Sequence, residues 1–399
     1  MNIKRIREDF PILRRKIDGK PIIYLDNACM TLKPRQVVEA MNDYYYNYSS
    51  CAGRSIHKLG TEVTLKYEES REKIRRFINA KDAKEIIFTK NTTEGINLIA
   101  RSLPLEKGDI VLTTDKEHNS NLIPWHIQKQ LRGINHRIVI SNEDNTFNLE
   151  RFEEMINKKV KLVSMVHTSN LDGYTIPAHK IIKIAHDHGA LVLLDGAQSA
   201  PRKEIDVQHG VDFFAFSSHK MLGPTGMGIL YGKYHLLEKL APFIVGGDTI
   251  ETSTYKSSRL LKPPEKFEAG LQNYAGALGA GEAADFIQNI GKKSISRHVY
   301  ELNKFITDEI QDLPGVSIIG PINPRRRAGI ISFNIKNIDP HEIAMTLDNA
   351  NIMVRSGVFC IHSWFNAHNI NGAVRASIYL YTTKEECRVF VEKIKELVA

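Results

Sequence analysis

The 399 residues contain no internal repeat and no low-complexity stretch. Long apolar runs are missing as well. The best of them, ALVLLDGA at 190–197, is far too short to cross a bilayer. The opening residues 1–19 are basic but lack the apolar core and small-residue cleavage site of a secretory signal, so a cytoplasmic protein without a membrane partner is expected. Cysteine is scarce: only Cys29, Cys51, Cys360 and Cys387. No two stand in CxxC spacing, so no metal site is read from spacing, and a disulfide framework is not expected in a cytosolic chain of this size. Charge of one sign is not in great excess, with 54 Lys and Arg against 46 Asp and Glu for a net +8. The basic residues are scattered. Their one tight run, Arg325-Arg326-Arg327, has no aromatic-basic RNA-binding motif beside it, which favours a solvated basic surface and no nucleic-acid partner.

What is present is an ordinary globular composition, 42% hydrophobic and 25% charged, in a chain long enough for two cores. The middle alternates short β-rich runs with helical stretches. Strands are expected at 85–90, 109–114, 161–168, 190–195, 213–218 and 228–232, and helices at 94–103, from Asn121 onward, and at 179–189. Such alternation implies crossover connections, hence an α/β fold with a mostly parallel sheet covered on both faces, whose ligands bind at the carboxyl ends of the strands. A Pro- and Lys-rich stretch at 255–267 reads as a connector. Beyond it, helices at 275–290 and 293–312, short strands at 317–319, 329–335 and 374–380, and an amphipathic helix at 383–398 suggest a smaller α+β domain.

Three strand ends carry the chemistry. Asp195-Gly196-Ala197-Gln198 closes an apolar strand, where an aspartate is costly without a cationic or hydrogen-bonding partner. Ser217-Ser218-His219-Lys220 closes another and leads into Gly223-Pro224-Thr225-Gly226. Each alone is bland, a turn aspartate and a surface lysine. Together they suit a cofactor held as a Schiff base by the lysine, with its ring nitrogen kept protonated by the acid. Thr92-Thr93, between a strand and a helix, offers hydroxyls and free helix amides as a phosphate cradle, although alone the pair is simply a good helix cap. Ser217 and His219 could close the same cradle. His118, just past the strand at 109–114, could stack on an aromatic ring or move protons; in isolation it would be an ordinary loop histidine.

With these segments in view, the chain resembles the class V pyridoxal-phosphate enzymes of fold type I, and within them the SUF-type cysteine desulfurase and selenocysteine lyase group. The likeness is carried by YLDNA (24–28), TTEGINLIA (92–100), EHNSNLIPW (117–125), DGAQ (195–198), SSHKMLGPTGMGILYG (217–232), FEAG (267–270), RSGVFC (355–360) and RAS (375–377), from about residue 8 to the C-terminus. It implies an N-terminal segment (1–20) packing on the small domain, a large cofactor domain (21–265) and a small domain (266–399) carrying a catalytic cysteine loop. It implies pyridoxal 5'-phosphate on Lys220, Asp195 at the ring nitrogen, Gln198 at the ring hydroxyl and His118 on the ring face. Thr92, Thr93, Ser217 and His219 would hold the phosphate. Asn170, Arg355 and Arg375 would line the substrate-carboxylate pocket, a task suited to arginine's planar fork. Cys360 would attack the sulfur of bound L-cysteine, leaving alanine and a persulfide destined for iron–sulfur cluster assembly or another thiolation. The resemblance further implies a homodimer and, since the loop is short, an acceptor protein that reaches in.

The chain departs from that pattern in several places. Leu271 follows FEAG where the family usually has a threonine that reaches the neighbour's phosphate; Gln272 is the expected replacement. Val358-Phe359 precede the cysteine where His-His is frequent, and Ser218 stands where glycine is usual. These changes keep a selenocysteine lyase, or another class V transaminase, epimerase or lyase, open as alternatives. By position Cys29, Cys51 and Cys360 could converge on a shared metal, cluster or persulfide relay. Two incidental thiols beside Cys360 is the preferred reading. Cys387, on the final helix, is expected to be structural.

Overall fold

The computed structural model describes residues 1–399. Its centre is a seven-stranded sheet in the order Ile86–Thr89, Gly228–Gly232, Phe213–Ser217, Leu191–Asp195, Val160–Val166, Ile110–Thr114, Asn135–Val139. Neighbouring strands run parallel except Gly228–Gly232, which is antiparallel to both of its partners. Side chains alternate between the faces and feed two cores. Ile87, Val111, Leu162, Leu193, Phe213 and Leu230 face one. Phe88, Leu112, Val163, Val192, Phe214 and Ile229 face the other. Burial on both faces is why these strands read as continuous apolar runs.

The sequence-expected elements lie within a few residues of those found, and the differences have local causes. The helix expected from Asn121 starts at Asn119, because the His118 imidazole accepts the Ser120 N–H and caps it earlier. The strand expected at 374–380 ends at Ser377. There the Tyr379 N–H turns to the Thr382 hydroxyl and the Thr382 N–H back to the Tyr379 carbonyl. The connector holds a small hairpin, Ile250–Ser253 with Ser258–Leu260, whose tip is closed by the Thr254 hydroxyl accepting from Lys256 and Ser257 N–H. Asn135–Val139, a half-exposed edge strand, and the helices Arg35–Asn47 and Lys58–Phe77 carry no apolar run strong enough to announce them.

A second, antiparallel sheet has the order Val316–Ile319, Ile330–Ile335, Ala373–Ser377, Arg355–Gly357. The YLDNA segment is bound to it. Ile23–Tyr24 pairs with Ile352–Met353, and the Ala28 N–H donates to the Ser377 hydroxyl at 2.8 Å. The first residues pack nearby, with Arg7 paired to Glu386 at 2.9 Å and Phe10 against Tyr381.

One buried ion pair ties the outer strand of the main sheet in place. Glu268, from FEAG, accepts from Arg71 at 2.7 and 2.9 Å, from the Phe88 N–H at 2.7 Å and from the Tyr67 hydroxyl at 3.0 Å. Arg71 is 1% exposed and Glu268 5%, so neither charge can fall back on water. Strand Ile86–Thr89 leads directly into Thr92-Thr93, so this pair also positions the first turn of the following helix. Glu268→Ala is expected to cost roughly 3–5 kcal/mol in urea unfolding, because it leaves the buried guanidinium with only the solvent-exposed carboxylate of Glu68 as counter-charge; a loss under about 1 kcal/mol would contradict the assignment.

Candidate active site

The strands of the main sheet deliver their carboxyl ends to one cavity of about 250 Å³. Every residue proposed from the sequence as a cofactor or substrate contact lines it: Thr92, Thr93, His118, Asn170, Asp195, Gln198, Ser217, His219, Lys220, Arg355, Cys360 and Arg375. Ala28 and Cys29 complete one wall.

Asp195 ends the strand Leu191–Asp195 and is 3% exposed. Burial pushes its carboxyl pKa up, while the Ala197 N–H, 2.9 Å from Oδ1, and Lys220 pull it down. Lys220, in the single 3-10 turn after Phe213–Ser217, feels the converse: burial pushes the amine down and Asp195 opposes it. Gly196 permits this packing, since a Cβ there would fall 2.1 Å from the Phe214 ring. The Gln198 amide donates to the Ala28 carbonyl at 2.6 Å and its oxygen accepts from Arg202 at 2.9 Å, which fixes the carboxamide while leaving its second N–H free.

At the opposite end, the Thr92 N–H donates to Ser217 Oγ at 2.8 Å and the two hydroxyls meet at 2.6 Å. Thr93 meets Ser120 at 2.7 Å. The start of strand Gly228–Gly232 closes under this turn so tightly that a Cβ on Gly228 would lie 2.4 Å from Asn91 Cα. Hydroxyls at a helix N-terminus suit a phosphate.

His118 is neutral over the physiological range. Burial lowers it to about 3, with Lys220, Arg375 and His362 adding to the effect. Because Nδ1 accepts the Ser120 N–H at 3.1 Å, the ring proton sits on Nε2. Beneath it Glu117, 2% exposed, is raised by burial to about 7 and accepts from the Thr114 hydroxyl, Asn121 and the Val166 N–H.

The remaining wall comes from the second sheet. Arg375 is 2% exposed; its Nη1 donates to the Asn170 carbonyl at 3.0 Å, and its Nε is buried with no acceptor. Its guanidinium lies 4.6 Å from the centre of the Phe359 ring. Asp26 joins the two arginines, 3.1 Å from Arg355 Nη2 and 3.5 Å from Arg375 Nη2. The cysteine loop is pinned at both carbonyls, Phe359 by Asn170 Nδ2 at 2.9 Å and Cys360 by the Asn119 N–H at 2.8 Å. Phe359 and Cys360 both hold positive φ, 49° and 59°, a conformation that costs roughly 1–3 kcal/mol per residue and clusters at functional sites. Cys360 itself is exposed.

The three cysteines are not brought together in one chain. Cys29 and Cys360 share the cavity, but Cys51 does not line it; its thiol lies 3.8 Å from the Tyr274 hydroxyl. No group of three His, Cys, Asp or Glu side chains in the chain is placed to hold a metal ion. Gln272 also departs from expectation. Its amide is spent on the carbonyls of Ala269 and Gly270, while Leu271 is 72% exposed. Sequence reasoning missed Asp26, Asn91, Ser120 and Glu117. All four lie inside or beside the motifs YLDNA, TTEGIN and EHNSN, but a role that depends on a contact across the fold leaves no local mark.

A buried acid facing an amine, a hydroxyl cradle and an arginine with an open nitrogen match a ring-nitrogen cofactor with a phosphate tail and a carboxylate substrate. Residues 23–390 match the family described as aminotransferase class-V. The chain belongs to that family. A protein of Halalkalibacterium halodurans named as a probable cysteine desulfurase is 43% identical over 99% of this chain and 98% of its own length. The apo structure of the cysteine desulfurase from Thermococcus onnurineus superposes with a TM-score of 0.95 at 38% identity, covering 99% of this chain and 98% of that one. The Escherichia coli cysteine desulfurase CsdA does so with 0.91 at 29%, over the whole of both chains. Within the class V family, the chain therefore belongs with the cysteine desulfurases.

The buried imidazoles set an acid limit. His118 and His167 are lowered to about 3, and His136 and His219 to about 4, all mainly by burial. Unfolded, they would take up protons near about pH 6.5, so stability is lost as pH falls from there toward 4. Glu117, raised to about 7, acts in the opposite sense, as do Asp195 and Glu265, both raised by burial, but these are three carboxyls against four imidazoles. The urea midpoint is expected to fall between pH 7 and pH 4.5; a flat or rising midpoint would contradict these assignments.

Proposed function

We propose that the protein converts L-cysteine to L-alanine and receives the sulfur on Cys360 as a persulfide, with pyridoxal 5'-phosphate held at Lys220. One observation carries the reading: the Lys220 amine, the Asp195 acid, the open Arg375 nitrogen and the Cys360 thiol all line a single cavity. Bound at Lys220, the cofactor supplies an electron sink that lets a carbon bearing the amino group lose its substituents. Asp195 would hold the ring nitrogen proton, Gln198 would give its free N–H to the ring hydroxyl, and His118 would lie on the ring face. Thr92, Thr93, Ser217 and His219 would hold the phosphate.

The rest of the work falls on side chains of this chain. Arg375, with Asn170 and Arg355 beside it, holds the substrate carboxylate. Asp26 keeps the two guanidiniums from repelling each other. The Lys220 amine takes the proton from the substrate Cα. The Cys360 thiolate then attacks the substrate sulfur: a sulfur–sulfur bond forms, the Cβ–sulfur bond breaks, and its electron pair stays with the carbon fragment. Cβ takes up a proton, Lys220 returns one to Cα, and alanine leaves.

The loop carrying Cys360 is short and pinned at two carbonyls, so the persulfide does not travel. The acceptor, a partner protein of iron–sulfur assembly or another thiolation, must come to it, as a SUF-type arrangement requires. The exposed Cys360 is compatible with that approach. The homodimer reading is supported by exposed apolar Phe243, Ile244 and Leu271 in a cavity that also includes Asn91 at the cradle. No helix is long and apolar enough to cross a membrane, and the cytoplasm remains the proposed location.

The test pairs the visible cofactor band with alanine and sulfide release from L-cysteine under reductant. Cys360→Ala is expected to keep the band and lose sulfur-dependent alanine release. Alanine release undiminished in Cys360→Ala would remove Cys360 from sulfur transfer, a band without alanine release in the unaltered protein would assign another class V reaction, and the same assay with selenocysteine separates the lyase variant. Arg375→Lys, which exchanges a bidentate fork for a point charge, is expected to raise KM for cysteine roughly 10- to 100-fold with the band intact; an unchanged KM would remove Arg375 from carboxylate binding.

A further inference from the structure

Another cavity, of about 360 Å³, is lined by Arg202, Lys203, Arg297, Arg325, Arg327 and Tyr300 among its ten residues, with no aspartate or glutamate, and Arg202 links it to Gln198 of the catalytic one. Two of these arginines are buried, Arg202 at 2% exposure and Arg327 at 3%. Their polar atoms are left open. Nε and Nη2 of Arg202, and Nε and Nη1 of Arg327, are buried without any acceptor. The nitrogens that are engaged meet neutral groups: Arg202 Nη1 donates to Gln198 Oε1 at 2.9 Å, and Arg327 Nη2 donates to the Thr307 hydroxyl. Asp172, the acid that acts on Arg327, is already paired with Lys116 at 2.7 Å.

A guanidinium withdrawn from water needs a counter-charge or full hydrogen bonding. Two of them here leave four nitrogens without an acceptor, and the cavity that both arginines line holds no acid. The sequence gives no hint of this beyond its one basic run, 325–327, which the catalytic site does not use.

We infer that this cavity is a binding site for a multiply charged phosphate anion, held by Arg202 and Arg327 at its floor and by Arg297 and Arg325 at its rim. Planar forks match phosphate oxygens in pairs, and five basic side chains with no acid call for more than one negative charge. The open nitrogens sit on buried side chains, out of reach of the backbone of a nucleic-acid duplex, so the ligand is a small molecule, either inorganic diphosphate or the phosphate tail of a nucleotide.

The test is calorimetric titration of the cofactor-loaded protein with pyrophosphate and, separately, with ATP, at constant ionic strength. Loading matters, because the catalytic phosphate cradle would otherwise bind the probe. One saturable site per chain is expected. Arg297 and Arg325 are exposed, so the double variant Arg297→Gln/Arg325→Gln should fold; it is expected to keep the cofactor band and bind roughly tenfold more weakly or worse. Arg202→Gln is expected to abolish binding. Saturation by pyrophosphate assigns an inorganic anion, and saturation by ATP alone assigns a nucleotide. No saturable heat with either, or binding unchanged in the double variant, overturns the proposal. An RNA duplex that outcompetes pyrophosphate also overturns it, in favour of a nucleic-acid surface.

Discussion

An aspartate with almost no access to water, at the end of a strand made of leucine and valine, sets the terms for the rest of the site. Asp195 can remain ionised there only with a cation in the same enclosure, and Lys220 lines that enclosure. The two groups pull against burial together: each is shifted toward neutrality by loss of water and back toward charge by the other. The neighbours follow from this requirement. Gly196 must lack a side chain because Phe214 packs against the backbone beside the acid. His118 is neutral because burial strips its ring of water, with Lys220 and Arg375 adding to the effect.

The second constraint is that the site is assembled across two sheets. The first supplies the acid, the amine and the hydroxyl cradle from the ends of its strands. The second supplies Arg355, Cys360 and Arg375. What joins them is the segment 24–28, hydrogen-bonded to the second sheet at Ser377 and touching Gln198 through the Ala28 carbonyl. Asp26 in that segment bridges both arginines, and Asn170 from the first sheet ties down the loop of the second. The strained pair Phe359-Cys360 is thus held from both sides, which fixes where the thiol stands and leaves motion to the sulfur acceptor.

Much of this was legible in the sequence because of how it is buried. A parallel sheet covered on both faces writes itself as apolar runs, and its functional residues fall where the runs stop, so Asp195, Ser217, Lys220 and Thr92 could be placed from pattern alone. Arg375 and Cys360 could not; their places came from likeness to a family. Asp26 and Glu117 act through partners 329 and 49 residues away, and such contacts leave no local pattern. The amphipathic helices near the N-terminus and the edge strand Asn135–Val139 were missed because half of each faces water. Cys51 shows the limit of reading by motif: proximity to active-site residues in sequence left a place at the cavity open, and the fold puts it beside Tyr274.

The direct test of sulfur capture at Cys360 is peptide mass spectrometry after L-cysteine is added without a reductant. One extra sulfur is expected on the peptide bearing Cys360, and none on those bearing Cys29, Cys51 or Cys387. Sulfur found first on Cys29, or on no cysteine while alanine is still released, would contradict the role given to Cys360.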